Sequence, residues 1–288
     1  MSTLRDAAIR RGYRIGWRVA RPIPDRVVRM IISYASRRAA RQNGRHVQTL
    51  RRNLSIATGE SASDQLVQAA LESYLRTQYE VLALPGWSPR TIIRSVEVVG
   101  ELDLRSAFAE RGAVVALPHS GNWDLVGAWA CLTGLPVTTV AEELGGGDFE
   151  AFAGFRRGLG MEVLSHRDPA AISTLVGAVH RGRVVCLLAD RDLAGGGLPV
   201  LWHGQPITMP AGPAIVARRS GAALVPAVCQ YAPRTMRVLL GTPVAHRPGR
   251  DGLVKMTQEL ADFFAARIAE QPQDWHLMQP FFAETAAP

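Results

Sequence analysis

Residues 113–124 read AVVALPHSGNWD, and the reading of this stretch decides the fold. Ala113 to Leu117 is a short continuous apolar run of the length of a buried strand, and Pro118 cuts it. Ser120-Gly121-Asn122 is turn chemistry, and Ser120 or Asn122 can cap a helix that begins near Trp123. A strand, a turn and a helix in this order make an α/β unit. His119 then follows directly on the carboxyl end of a strand, where open α/β sheets hold their ligands. Asp124 falls in the first turn of the helix, from where a carboxylate can reach back toward the imidazole.

Working outward, the same texture repeats. SVEVVG (95–100), PVTTVA (136–141), MEVLS (161–165), RVVCLLAD (183–190), LVPAVCQY (224–231) and MRVLLG (236–241) are further strand candidates. Helical patterns at 123–133, 148–160, 169–180, 211–220 and 251–270 alternate with several of them. This alternation predicts a three-layer α/β domain around a largely parallel or mixed sheet. Before residue 95 the pattern is helical instead. One helix is expected before Pro22 and a second from PIPDRVVRMI onward. A third is RHVQTLRRNLSIATG, closed by Gly59, and a fourth runs through 61–84, capped near Ser61–Asp64 and stopped by Pro85-Gly86. The expectation is one domain over 1–288, with a basic helical region at 1–94 and an α/β core at 95–288.

Charge separates the two parts. Residues 1–52 hold fourteen arginines against two acids, a local +12, while nineteen bases against twenty-three acids leave the remainder at −4. The arginines are interleaved with apolar and aromatic residues at helical spacing, Val27, Val28, Ile31, Ile32 and Tyr34 among them. That is the pattern of a helix lying in an anionic membrane interface, and no nucleic-acid partner is expected. The same face could also pack on the domain. No run of eighteen apolar residues is present, and the first residues lack the apolar stretch of a signal peptide. The three cysteines, Cys131, Cys186 and Cys229, sit apart in apolar surroundings and form neither a disulfide framework nor a CxxC site.

For the chemistry at His119 several readings compete. A cap and a histidine that merely satisfies backbone groups is one. A nucleophilic serine is another, but a nucleophile elbow needs Gly-x-Ser-x-Gly, and Pro118 and Asn122 stand where the glycines belong. Asp190 and Asp192 of ADRD could join His119 or His203 around a metal, yet no ligand spacing supports it. The glycine clusters ELGGGD (143–148) and LAGGGLP (193–199) lack the Lys-Ser/Thr of a phosphate loop. Strand-end placement weakens the purely structural reading and leaves a general base oriented by Asp124 open beside it. With such a base, the backbone N–H groups of Ser120–Asn122 are the expected donors to a developing oxyanion. Trp123, Trp129 and Trp202 read as core.

The ordered set HSGNWD (119–124), AEEL (141–144), FRRGLG (155–160), LLADRDL (187–193), MPAGPA (209–214) and DWHLMQPFF (274–282) resembles the lysophospholipid-acyltransferase superfamily. It is similar to the branch of bacterial lipid A biosynthesis acyltransferases and, within it, to the actinobacterial phosphatidylinositol mannoside acyltransferases. The resemblance implies an enzyme moving a fatty acyl group from acyl-CoA to a mannose hydroxyl of a phosphatidylinositol mannoside. It implies a peripheral protein on the cytoplasmic face of the cell membrane, with acyl-CoA as substrate and no cofactor. It carries over His119 as base, Asp124 as its partner and Asp190 as a further carboxylate near the histidine, with Asp192 in reserve. Glu142 and Arg157 match polar positions around the acyl-donor pocket. Another acceptor, such as a lysophospholipid or a lipid A precursor, stands as the alternative; a basic membrane-surface protein is the non-enzymatic one.

Overall fold

The computed structural model describes residues 24–142, 148–192 and 195–282. The helix expected before Pro22 lies outside the described residues, as do 143–147 of the first glycine cluster and 193–194 of the second. Three helices come first: α1 (Asp25–Gln42), α2 (Arg45–Thr58) and α3 (Asp64–Ala83). Gly59 closes α2 in the left-handed conformation at φ 74°, and the Ser63 side chain caps α3 by accepting from the Leu66 N–H at 3.2 Å.

The body follows as α4 (Pro89–Arg94), β1 (Val96–Val99), α5 (Glu101–Arg111), β2 (Ala113–Leu117), α6 (Trp123–Leu132), β3 (Val137–Ala141), α7 (Asp148–Gly158), β4 (Glu162–Ser165), α8 (Ala171–His180) and β5 (Val184–Leu188). After β5 come β6 (Leu198–Trp202), β7 (Gln205–Met209), α9 (Gly212–Ser220), β8 (Ala223–Tyr231), β9 (Met236–Leu240) and α10 (Gly249–Glu270). Seven strands form one sheet in the order β1-β9-β8-β2-β5-β3-β4. All neighbours are parallel except β8 and β9, which are joined as an antiparallel hairpin, so the sheet is mixed.

The central strand β2 is buried at all five positions, as expected for a strand covered on both faces. Its side chains alternate between the layers. Val114 and Ala116 join the core under α8, α9 and α10, with Val179, Val216 and Phe264. Ala113, Val115 and Leu117 face the other layer, with Leu104, Leu125 and Phe155 from α5, α6 and α7. A hairpin of β6 and β7, turning through His203 (φ 47°) and Gly204 (φ 78°), stands apart from the main sheet. The N-terminal helices have their own small core of Leu50, Leu54, Val67 and Leu71. They are fastened to the body where Asn53 donates from Nδ2 to the carbonyls of Leu277 and Gln279, both at 2.9 Å.

Candidate active site

The site is assembled by register. β2 and β5 are parallel neighbours, with Leu117 opposite Leu188. Continuing two residues past each strand brings His119 beside Asp190. The ladder extends that far, since the Ala189 N–H donates to the Leu117 carbonyl at 2.8 Å. The His119 backbone N–H then donates to Asp190 Oδ2 at 2.9 Å, and its Nδ1 lies 2.5 Å from Oδ1. Trp275 Nε1 adds a third donor to the carboxylate, at Oδ2, at 3.0 Å.

The Asp190 side chain is fully buried, while that of His119 is 18% exposed. Burial pushes the Asp190 carboxyl up, but His119 beside it and the donated hydrogen bonds outweigh this and hold it below its ordinary value. Asp190 is therefore ionised, and an ionised carboxylate can only accept. In a neutral ring the proton then belongs on His119 Nδ1, which leaves the Nε2 lone pair free to accept.

Asp124 is not the partner of the imidazole. Its oxygens accept from Arg156 Nε at 2.6 Å and NH2 at 3.3 Å, and the pair is nearly buried, with 5% of the Asp124 side chain exposed. The expectation from the His-x4-Asp spacing is corrected here: the helix turns the Asp124 carboxylate toward α7, where Arg156 meets it. The orienting acid comes instead from the neighbouring strand end.

The turn is held rigidly. Ser120 is buried and its Oγ accepts from the Cys229 N–H at 3.3 Å, which makes it a structural group. Gly121 has φ 57°, and a Cβ there would lie 2.8 Å from the Cys229 carbonyl oxygen, so no other residue fits. Asn122 caps α6 by accepting from the Leu125 N–H at 3.0 Å and donates to Glu80 Oε2 at 2.9 Å. Glu80 also receives Tyr231 OH at 2.8 Å and Arg76 Nε at 2.7 Å, which ties α3 to the turn.

From the other side the segment Asp274–His276 runs antiparallel to His119–Gly121. The His276 N–H donates to the His119 carbonyl at 2.8 Å, and the Gly121 N–H donates to the Asp274 carbonyl at 2.9 Å. Ser120 N–H is likewise taken, by the Pro118 carbonyl at 2.8 Å. Two of the three backbone donors expected to serve an oxyanion are thus already committed.

The remaining expected residues are spread around this centre. Glu142 follows the end of β3, one strand beyond β5, and pairs with Arg191 at 3.7 Å. Asp192 braces the loop before β6 by accepting from the Gly195 and Gly197 N–H groups at 3.1 and 2.8 Å. Arg157 pairs with Glu150 at 3.2 Å on the exposed side of α7. Arg156 and Trp275 were not singled out from sequence. The only signal for either was its place inside a motif, FRRGLG or DWHLMQPFF.

Beside His119 an apolar slot runs between α6 and the sheet. Leu117 and Leu188, just before His119 and Asp190, line it together with Trp123, and its far side reaches Val98 of β1. Its lining touches six strands, from β1 to β3, which is about 24 Å at the usual spacing between strands. The slot is narrow, about 70 Å³, and the flexible side chain of Met161 forms part of its wall.

A base, an orienting acid and an apolar slot suit removal of a proton from a hydroxyl that attacks an acyl carbon. Comparison with known proteins points to acyl transfer. The phosphatidylinositol mannoside acyltransferase of Mycolicibacterium smegmatis is 39% identical over 280 residues, covering 93% of this chain and 90% of that protein. The protein of the same name from Mycobacterium tuberculosis is 39% identical over 277 residues, covering 93% of this chain and 86% of the relative. The chain is thus an enzyme that transfers an acyl group from a donor to a lipid acceptor. The model for the bacterial lipid A biosynthesis acyltransferases matches residues 7–284, and the chain belongs to that family.

Proposed function

We propose that the enzyme transfers a long-chain fatty acyl group from acyl-CoA to a mannose hydroxyl of a phosphatidylinositol mannoside. The observation that carries this reading is the His119–Asp190 pair next to Leu117, Trp123 and Leu188 of the apolar slot, taken with the names of the relatives. His119 Nε2 takes the proton of the acceptor hydroxyl, and the oxygen attacks the thioester carbon. The tetrahedral intermediate expels the CoA thiolate, which recovers the proton from the imidazolium. A thioester is already activated, so positioning, a base and an oxyanion donor are sufficient, with no covalent enzyme intermediate. Asp190 fixes the ring and stabilises the imidazolium between the two proton transfers. Asp124 holds Arg156 in the wall of the slot; Glu142 and Asp192 bear on the donor from the loops at the strand ends, and Arg157 does so from α7.

The acyl chain lies in the slot, across the sheet. The protein works as a peripheral protein on the cytoplasmic face of the membrane, through its N-terminal helices. In support, α1 leaves Val27, Met30, Ile31 and Tyr34 exposed along one stripe, with Met30 71% and Tyr34 69% accessible, beside Arg26, Arg29 and Arg37. No described helix is long and apolar enough to cross a membrane.

The test is release of CoA thiol from palmitoyl-CoA, with and without phosphatidylinositol monomannoside, for the wild type and His119→Ala. Acceptor-dependent release that disappears in the variant is the expected result. Release that ignores the acceptor would sink the proposed acceptor, and an active His119→Ala would remove the base.

A further inference from the structure

The acyl carbonyl needs a hydrogen-bond donor where its oxygen gains charge, and of the three N–H groups in the turn after His119 only that of Asn122 is uncommitted among the described residues. Ser120 and Gly121 spend their N–H groups on the carbonyls of Pro118 and Asp274. Among the described residues, three buried side-chain nitrogens lack a hydrogen-bond partner: Trp123 Nε1, Trp202 Nε1 and His276 Nδ1. A buried N–H left unpaired costs about 1–3 kcal/mol, so each such group calls for a reason. Trp202 is fully buried and stacked on Trp275 at 5.4 Å. His276 sits under the turn, its Nε2 2.9 Å from Ser73 Oγ. Trp123 differs from both. It lines the apolar slot, and its ring meets His119 edge-to-face at 5.5 Å between centroids.

We infer that the Trp123 indole N–H is the donor that receives the acyl carbonyl oxygen during transfer. This inference rests on the acyl-transfer reading above and adds a side-chain donor to it. With the acyl chain in the slot, its carbonyl carbon lies at the slot's mouth beside His119, and Trp123 is the residue shared by the slot and the imidazole. When the acceptor oxygen attacks, the carbonyl π pair moves onto oxygen, and the Nε1–H hydrogen bond strengthens as that charge grows. When the C–S bond breaks, the pair returns to re-form the carbonyl of the ester. Nothing is gained or lost at the indole, which only donates a hydrogen bond. The helix that places Trp123 starts at the Asn122 cap, so the donor and the base are fixed by the same turn.

Trp123→Phe keeps an aromatic ring and deletes the donor. Loss of one oxyanion donor lowers turnover by about 10²–10³-fold, and kcat should fall by that order while the affinity for hexadecyl-CoA, a thioether with no carbonyl, holds. A second measurement uses the wild type and does not depend on the variant folding. In an indole ¹H–¹⁵N spectrum of the six tryptophans, a CoA ketone analogue should move one N–H resonance downfield, and the thioether should not. Trp123→Phe turning over within twofold of the wild type overturns the inference, and so does a spectrum in which the ketone moves no indole proton. An inactive wild type in the acceptor assay would instead strike the acyl-transfer reading itself.

Discussion

Two aspartates follow His119 in the chain, and the structure assigns them different work. Asp190→Asn is the decisive perturbation. Oδ2 of Asp190 accepts two N–H groups, from His119 and Trp275, while Oδ1 faces Nδ1. An asparagine keeps both N–H bonds only by placing its oxygen at the Oδ2 position. Its NH₂ then points at Nδ1 and forces that nitrogen to accept, which moves the ring proton to Nε2, where the lone pair is needed. The flipped amide sets NH₂ against two N–H donors, so the first arrangement wins. Locking a catalytic histidine in the wrong tautomer costs about 10⁴ in kcat, or roughly 5 kcal/mol of barrier.

Asp124→Asn should behave oppositely. It leaves the imidazole untouched and deprives the nearly buried Arg156 of its counter-charge. Removing one member of a buried ion pair costs about 3–5 kcal/mol, and an asparagine that keeps one acceptor should cost less than an alanine. At roughly 2 °C per kcal/mol, the alanine variant should melt about 6–10 °C lower. Thiol-release kinetics and thermal melts on the same preparations decide the matter. Loss of turnover in Asp124→Asn with an unchanged melt, alongside a nearly normal Asp190→Asn, would refute the assignment and restore Asp124 as the partner.

Trp275→Phe removes one of the three donors on Asp190, and a hydrogen bond to a charged group is worth about 1.5–3 kcal/mol. The Asp190 carboxyl is held low in the folded state against the opposing effect of burial, so its stabilisation is present above the ordinary carboxylate pKa and lost as pH falls through the folded value. Deleting the donor raises that folded value, and the acid-unfolding midpoint should move to higher pH by near-ultraviolet circular dichroism; an identical acid limb would contradict it. For the membrane proposal, Met30→Asp with Ile31→Asp changes two exposed side chains and should leave the melt intact while weakening sedimentation with phosphatidylinositol vesicles. Unchanged sedimentation would defeat the interfacial face.

Much of the architecture was legible because parallel strands covered on both faces announce themselves as short valine- and leucine-rich runs. Every strand candidate found its place in the main sheet. The β6–β7 hairpin was missed because Pro199 and Pro206 interrupt its strands and its turn is His203-Gly204 instead of Asn-Gly. Helix α5 was missed because only Leu104 is buried along it, so no apolar stripe marks it. His119 was legible from its strand end. Asp190 beside it was carried only by the resemblance, since the 119–190 pairing depends on which strand lies beside β2, a fact of topology that no local spacing encodes, and the local His-x4-Asp spacing pointed to Asp124 instead. Arg156 was passed over for Arg157 because one residue along a helix turns a side chain by about 100°, from the slot wall to the exposed side of α7.

The segment Asp274–His276, with Trp275 against Asp190, lies in the chain after every strand of the sheet it braces. A folding intermediate can therefore hold the complete sheet and both strand ends while the carboxylate lacks its indole donor and the turn lacks its clasp. Such an intermediate carries His119 without a fixed orientation and, on the proposed mechanism, should be chemically silent. Appearance of transfer activity during refolding should then coincide with docking of this last segment, which makes turnover itself a clock for the final step of folding.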